Sequence, residues 1–332
     1  MSIIWVKFAV SALVIVIAGV RITGFARVIA EKTGLGFLWG GFILLPLATS
    51  LPELVTSWRA ASIDAPDLAA GNLFGSMLFN LAVIAVIDAA QGRGALFYRL
   101  NKSHIFTASF AVIIAAFTGA ALLIPHDLTV LWIGIDTVII IVLYGIAVFM
   151  VSKKEKREHP KETAEDIPGI EETSLFKAIF SFLLLAALIV AAGVNLTDAA
   201  DSIAIKTGLG QTFIGTLLLA ASTSLPEMVT TFTAVRMGLL DMAVANIFGA
   251  NLMNLALLFF TDIFYTGGPV LSSISRDHLM TIIFVIIITA VAIASLIYGT
   301  KRQFANIGLD SLLIFILYIV AFIFLYYANL SI

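Results

Sequence analysis

The sequence predicts an all-α integral membrane protein with ten transmembrane helices, arranged as two inverted-topology five-helix repeats. Three observations lead to this fold class. Of the 332 residues, 61% are hydrophobic and 12% are charged, which is more apolar than a soluble domain of this length requires. The apolar residues also fall into runs long enough to span a bilayer. Finally, the two halves of the chain carry the same polar motifs in the same order.

The predicted spans are apolar runs of about 20 residues or more, the length that a bilayer requires. They lie at 3–30, 35–62, 67–90, 103–124, 129–151, 174–204, 209–236, 241–264, 277–299 and 308–329. The first run shows no small-residue cleavage site, which favours a retained helix over a signal peptide. The long polar segment 152–173 contains two prolines and many charges, and is predicted to be a flexible cytoplasmic linker.

The halves 1–151 and 174–332 are predicted to be repeats because their residues align without a gap at a constant offset of 174. This offset pairs Lys32-Thr33-Gly34-Leu35-Gly36 with Lys206-Thr207-Gly208-Leu209-Gly210. It still holds late in each half, where His104 aligns with His278 and Asp136 with Asp310. Since each half contains an odd number of helices, the second enters the membrane in the opposite orientation. Inverted repeats are typical of secondary transporters, whose site lies near the midplane.

The basic residues predict the orientation of the chain in the membrane. Only Lys7, Arg59, Lys206 and Arg276 lie on one face, and the other fifteen Lys and Arg residues lie on the opposite face. This distribution places the linker in the cytoplasm and both termini outside a cell membrane. The net charge of −2 and the absence of cysteine argue against a nucleic-acid partner and exclude thiolate chemistry.

The most informative motif is Thr49-Ser50-Leu51-Pro52-Glu53, repeated as Thr223-Ser224-Leu225-Pro226-Glu227. Each proline removes one backbone N–H and is therefore expected to bend its helix and release a carbonyl. The threonine and the glutamate of each copy are four residues apart and share a helix face. Because a carboxylate within the membrane is costly, Glu53 and Glu227 imply a compensating cation. The two copies together predict an all-oxygen cage.

The second motif pairs Asn72-x-x-x-Ser76-x-x-x-Asn80 with Asn246-x-x-x-Ala250-x-x-x-Asn254. Residues spaced by four line one helix face, so each copy adds oxygen atoms to the predicted cage. For Asn72 and Asn246, simple helix–helix packing remains an equal alternative.

These doubled motifs resemble the α-repeats of the cation/calcium antiporters, specifically the sodium/calcium exchanger branch, and the resemblance covers the whole chain. It implies exchange of Ca²⁺ for Na⁺ without a cofactor, and no obligatory protein partner is evident. In the family, the positions that match Thr49, Glu53, Thr223 and Glu227 hold calcium. The positions that line the sodium or central sites match Ser50, Ser76, Asn80, Ser224 and Asn254.

The chain departs from the family pattern at several of these positions. Ala48 and Ser222 replace the usual glycine before the Thr-Ser-Leu-Pro-Glu motif, and Ala250 removes a hydroxyl. Asn254 stands where some members have aspartate. These departures argue against potassium dependence and leave the sodium stoichiometry open.

Other functions share some of these sequence features. Protons can replace sodium as the coupling ion in the same cage, or another divalent cation can replace calcium. Two membrane aspartates, Asp136 and Asp310, could indicate an aspartyl protease, although the second glycine of its motif is missing. A passive channel is disfavoured because the polar groups concentrate at one centre. Asp88 and Asp262 are predicted to be interfacial, and His104 and His278 to lie on the surface.

Overall fold

The computed structural model describes residues 2–33, 48–92, 95–124, 127–158, 173–304 and 307–330. The elements of the first half are α1 Ser2–Thr33, α2 Leu51–Ser62, α3 Pro66–Gln91, α4 Leu96–Arg99, α5 His104–Leu123, β1 Thr129–Val130, β2 Ile133–Gly134 and α6 Ile135–Glu158. Those of the second half are α7 Leu175–Thr207, α8 Gly210–Ile214, a π-helical segment Gly215–Leu219, α9 Ala220–Thr223, α10 Leu225–Arg236, α11 Leu240–Phe264, α12 Val270–Ser273, α13 His278–Tyr298, β3 Gln303–Phe304, β4 Ile307–Gly308 and α14 Leu309–Leu330.

The described residues contain eight helices that are long and apolar enough to cross a membrane, or nine if the bent pair Gly210–Thr223 and Leu225–Arg236 is one span. This confirms a multi-pass helical membrane protein. The predicted second span, 35–62, lies partly outside the described residues, so the count of ten stays a prediction.

Helices α3 and α11 form the centre of the protein. About three quarters of the apolar window of each is buried, at 78% and 72%. The long helices α1 and α7 pack mainly along each other and are much more exposed to the surroundings, with 28% and 17% buried. Residues on α3 and α11 are therefore shielded from lipid.

Two β-hairpins precede helices α6 and α14, and the first of them lies within the span predicted at 129–151. Thr129 pairs with Gly134, and Gln303 pairs with Gly308. The first hairpin turns at Leu131, whose φ is 63°. The predicted start of the fifth span at 129 was therefore wrong, because hydropathy does not distinguish an apolar hairpin from a helix. At the other end, α6 continues to Glu158, so the predicted linker begins as helix.

The elements of the two halves repeat with the same offset of 174 residues as the sequence. Helices α2 and α10 correspond at both ends. The short helices α4 and α12 and the two hairpins also correspond residue for residue. The repeat in the sequence is thus accompanied by a repeat of local structure, including elements that hydropathy did not predict.

Asp88 and Asp262 each join the two halves. Asp88 accepts hydrogen bonds from the amides of Leu96 at 3.0 Å and Gly308 at 2.8 Å. Asp262 accepts the equivalent bonds from Val270 at 2.8 Å and Gly134 at 2.7 Å. Each aspartate therefore holds the hairpin of the opposite half, as around a two-fold axis. Both are 0% exposed and lie near the ends of α3 and α11, and their position at the membrane interface stays a prediction.

The two histidines form a second reciprocal pair of contacts. His104 Nε2 lies 2.9 Å from Asp241 Oδ1, and His278 Nε2 lies 3.1 Å from Asp67 Oδ1. The histidines are only 7% and 0% exposed. The prediction of surface positions was wrong because it considered only the neighbouring loop residues, whereas the carboxylate partner of each histidine lies in the other half.

Replacing Asp262 by alanine is expected to lower the unfolding temperature of the purified protein in detergent. The change leaves the amides of Gly134 and Val270 without their acceptor, and each unsatisfied buried group costs about 1–3 kcal/mol. Asp127→Ala, at an exposed residue beside the hairpin, is the control and should not change the unfolding temperature. Equal unfolding temperatures for the two variants would contradict a stabilising role for Asp262.

Candidate cation-binding site

The two Thr-Ser-Leu-Pro-Glu motifs lie where helices are interrupted. Ser50 and Ser224 depart from helical backbone angles in nearly the same way, with φ −91°, ψ 13° and φ −88°, ψ 1°. A proline follows in the first turn of the next helix, where its missing N–H is tolerated. In the second half, Gly210–Thr223 and Leu225–Arg236 meet at 44°, which confirms the predicted bend there. Residues 34–47, directly before Ala48, lie outside the described part of the chain.

Helix α1 brings the two motifs together. A Cβ built on Gly19 would lie 2.7 Å from Pro226 Cγ and 4.0 Å from Pro52 Cγ. The backbone of α1 therefore passes directly against both proline turns, and glycine at this position permits the close approach. The repeat-related Gly193 on α7 contacts Val55 of α2 in a similar way.

The two carboxylates of the site are buried and differ in their hydrogen bonds. Glu53 is 1% exposed and Glu227 is 3% exposed. Ser224 Oγ donates to Glu53 Oε1 at 2.9 Å, so this bond crosses from one half to the other. Among the described residues, Glu53 Oε2 and both oxygens of Glu227 have no hydrogen-bond partner. Two ionised carboxylates buried in one site also repel each other, and a cation would relieve both penalties.

Neutral oxygen atoms of the predicted site are buried like the carboxylates. Ser76 Oγ lies 3.5 Å from Thr223 Oγ1. Ser50 Oγ and Asn254 Oδ1 are buried without a described hydrogen-bond partner. The nine predicted site residues are all at most 4% exposed: Thr49, Ser50, Glu53, Ser76, Asn80, Thr223, Ser224, Glu227 and Asn254. Their assignment as ligands stays a prediction.

Two asparagines outside the predicted set have clear contacts in this region. Asn251 Oδ1 accepts from Asn80 Nδ2 at 3.1 Å, and Asn251 Nδ2 donates to the Met77 carbonyl at 3.2 Å. The repeat alignment pairs Asn251 with Met77, so the comparison of the two halves gave no signal for it. Asn72, left undecided by the sequence, is fully buried and bonds both motifs.

The donor set favours hard cations. The described residues contain no cluster of three or more His, Cys, Asp or Glu side chains that could hold a metal ion. Two carboxylates among hydroxyl and amide oxygens suit Ca²⁺, which takes 6–8 oxygen ligands at about 2.3–2.6 Å. Nitrogen- or sulfur-preferring transition metals are disfavoured by such a set.

A helical membrane protein with buried carboxylates at interrupted helices belongs to the class of secondary cation transporters. The family model "Sodium/calcium exchanger protein" matches residues 3–153 and 177–327. The chain therefore belongs to this family, which is a family of transporters and not of enzymes.

The chain is also similar to curated proteins. The inner membrane protein YrbG of Escherichia coli (strain K12) is 25% identical over 84% of this chain and 86% of its own. The sodium/calcium exchanger MaX1 of Methanosarcina acetivorans is 37% identical, over 26% of this chain and 25% of its own.

Two solved structures show the same fold. The H⁺/Ca²⁺ exchanger CAX has a TM-score of 0.74 at 14% identity, covering 98% of this chain and 85% of that one. The sodium–calcium exchanger NCX_Mj has a TM-score of 0.61 at 19% identity, covering 96% and 97%. The fold is therefore shared by exchangers with different coupling ions.

Proposed function

We propose that this protein exchanges Ca²⁺ for Na⁺ across a cell membrane at one site near the bilayer midplane. The observation that carries the proposal is the pair of buried carboxylates from opposite halves, together with the Ser224–Glu53 hydrogen bond at 2.9 Å that joins the two motifs. Thr49, Glu53, Thr223 and Glu227 supply the calcium ligands, and Ser50, Ser76, Asn80, Ser224 and Asn254 supply oxygens for sodium.

Antiport follows if the two cargoes compete for the same oxygens. The cage carries two negative charges, which match one Ca²⁺ or two Na⁺. Binding both cargoes together would leave excess positive charge in a low-dielectric site. The site therefore changes the side of the membrane to which it is open with only one cargo bound. The opposite cargo must bind before the site can open to the first side again.

Alternating access is assigned to movement of α1 and α7 against the central helices. These two helices pack along each other, α1 approaches both motifs at Gly19, and α7 approaches Val55 of α2 at Gly193. Residues 1–151 and 174–332 form the two inverted five-helix repeats of a ten-helix protein, and 152–173 is the cytoplasmic linker. Both termini lie outside, as the distribution of basic residues predicts.

The H⁺/Ca²⁺ alternative is favoured by one observation. Glu53 Oε2 and both Glu227 oxygens are buried without described hydrogen-bond partners, so a proton could occupy the site in place of sodium. The hydroxyls of Ser50, Ser76 and Ser224 favour sodium, because a proton carrier does not need them.

The protease alternative has no support in the contacts of its two aspartates. Asp136 Oδ1 accepts from the Thr137 amide at 2.7 Å, and Asp310 Oδ2 accepts from the Thr300 amide at 3.3 Å. Both bonds hold local structure at helix starts.

Calcium flux into proteoliposomes distinguishes the coupling ions. An imposed sodium gradient at equal pH on both sides is expected to drive ⁴⁵Ca²⁺ uptake, and a pH gradient without sodium is expected to drive much less. Equal rates under the two gradients would replace sodium by protons in the proposal. Absence of flux under both gradients would overturn calcium exchange itself.

Ser76→Ala is expected to raise the sodium concentration required for half-maximal exchange about tenfold, the effect of losing roughly 1.4 kcal/mol of binding free energy. The half-saturating Ca²⁺ concentration should change less, because calcium is assigned mainly to the threonine–glutamate pairs. Ser222→Ala is the matched control, since its hydroxyl bonds the Leu218 carbonyl of its own helix at 2.8 Å. Equal changes in both half-saturation values would contradict a sodium-specific role for Ser76.

A further inference from the structure

We infer that Asn72 is a positioning residue that holds the Thr223 hydroxyl of the second half against the Glu53 turn of the first. This inference rests on the exchange function proposed above. Asn72 is 0% exposed and uses both ends of its amide. Its Oδ1 accepts from Thr223 Oγ1 at 3.0 Å. Its Nδ2 donates to Thr56 Oγ1 and Ser57 Oγ, each at 2.9 Å.

The bond to Asn72 determines which way the Thr223 hydroxyl points. This hydroxyl has one hydrogen and several acceptors within reach, the Glu53 carboxylate among them. Asn72 Oδ1 is at 3.0 Å, and the carbonyls of Leu219 and Ala220 in its own helix are both at 3.2 Å. When the hydrogen points to Asn72, the oxygen lone pairs of the hydroxyl are available to a cation. Without Asn72, the hydroxyl can bond its own helix instead.

The amide nitrogen of Asn72 is fixed to the first motif. Thr56 Oγ1 donates its hydrogen to the Pro52 carbonyl at 2.8 Å, so its lone pairs can accept from Asn72. Asn72 Nδ2 also lies 3.4 Å from the Glu53 carbonyl, which is a longer contact. Asn72 is therefore bonded to the proline turn of one motif and to a predicted ligand of the other.

The connection continues to α7 on the far side of α2. Thr197 Oγ1 contacts the Thr56 carbonyl at 3.3 Å. Thr197, Thr56, Asn72 and Thr223 are all 0% exposed, and a buried polar network of this kind fixes the relative positions of its members. A displacement of α2 or α7 would therefore change the position of the Thr223 hydroxyl.

The repeat-related asparagine has different contacts. Asn246 is half-buried, and its Nδ2 donates to Thr231 at 2.9 Å and approaches Thr230 at 3.5 Å. These described bonds stay within the second half. The bond between Asn72 and Thr223 is thus an asymmetric feature that the sequence repeat does not predict.

A double-mutant cycle on the full-length protein tests the bond itself. The unfolding temperatures of Asn72→Ala, Thr223→Val and the double variant are measured in detergent without sodium or calcium. We expect the double variant to unfold at about the temperature of the less stable single variant, since both changes remove the same bond. Additive decreases would overturn the inference, whether or not the protein transports calcium.

Exchange kinetics test the positioning role. Asn72→Ala is expected to raise the half-saturating Ca²⁺ concentration about fivefold to tenfold, the range for loss of one orienting hydrogen bond. The maximal rate should stay within about twofold. In a Thr223→Val background, the same change should have no further effect. If Asn72→Ala folds poorly, Thr56→Val can be measured instead, because it preserves the side-chain shape and keeps Asn72. We expect it to raise the half-saturating Ca²⁺ concentration by a smaller factor.

The outcomes separate this inference from the proposed function. Asn195→Ala is the control, because this exposed amide bonds only the Ala191 carbonyl of its own helix among the described contacts. A decrease in maximal rate with an unchanged half-saturating Ca²⁺ concentration would overturn the positioning role. If the wild-type protein showed no exchange, the proposed function would be overturned. The double-mutant cycle of unfolding temperatures would still decide the role of Asn72.

Discussion

Glu53→Gln and Glu227→Gln are each expected to abolish calcium exchange in proteoliposomes. Each change removes one of the two negative charges of the cage. A carboxylate oxygen about 2.4 Å from Ca²⁺ contributes roughly 7 kcal/mol for each unit charge on the cation at an effective dielectric constant of about 20. Because about 1.4 kcal/mol corresponds to a tenfold change, retaining the neutral amide still leaves a loss of about 100-fold or more.

Folding of these variants can be measured separately from exchange. The amide of Gln at position 53 can still accept the Ser224 hydrogen bond. In both variants one member of a mutually repelling, buried pair becomes neutral. The unfolding temperature without ions should therefore be equal to or higher than that of the wild type, whereas stabilisation by added Ca²⁺ should be lost.

Asp64→Asn is the matched charge-removal control. Asp64 is exposed in the turn between α2 and α3 and has φ 59°, a conformation that asparagine adopts readily. Exchange by this variant should equal that of the wild type. Exchange at near wild-type rates by either glutamine variant would contradict a site that requires both carboxylates.

Gly75→Ala is expected to abolish exchange, whereas Gly249→Ala, at the repeat-related position, is expected to have little effect. A Cβ on Gly75 would overlap the Thr216 carbonyl oxygen and would lie 2.6 Å from Thr216 Cα and 2.8 Å from Ala220 Cβ. Because two of these atoms belong to the backbone, no change of side-chain rotamer can relieve the contact. A Cβ on Gly249 meets nothing within 4 Å.

The overlap at Gly75 would separate helix α3 from the π-helical segment before Thr223. Ser76 and Asn72 on α3 contact the Thr223 hydroxyl at 3.5 Å and 3.0 Å, so both contacts should lengthen. The test is the Ca²⁺-dependent exchange rate of the two alanine variants, with protein yield and unfolding temperature measured in parallel. Similar rates for the two variants would show that the close approach at Gly75 is not needed for exchange.

The sequence was a good guide to features that depend on local physical chemistry. Long apolar runs predicted the spanning helices, and their ends mostly agree with the structure within a few residues. Proline in the second motif predicted the interruption at Ser224 because a missing N–H acts on its own helix. The doubled glutamates predicted buried carboxylates, since charged residues in apolar runs are retained inside a helical bundle.

Features that depend on a partner in the other half were not predictable in this way. His104 was expected on the surface because Asp241, its partner, is 137 residues away in the chain. Asn251 could not be matched to an equivalent residue because position 77 is methionine. The hairpin 129–134 was predicted as part of a helix because it belongs to an apolar run, and hydropathy does not report the path of the backbone.

The hydrogen bond between Asp88 and Gly308 has a consequence for biosynthesis. Its two residues are 220 positions apart. Asp88 therefore leaves the ribosome long before Gly308, whose amide donates this hydrogen bond. Asp88 Oδ1 can already accept from the Leu96 amide of the first half, but Oδ2 must wait for its bond until the last hairpin has been inserted. Late closure of such distant contacts slows folding. A chain truncated before residue 308 should therefore remain open to quality-control proteases, even though every helix of its first half is complete.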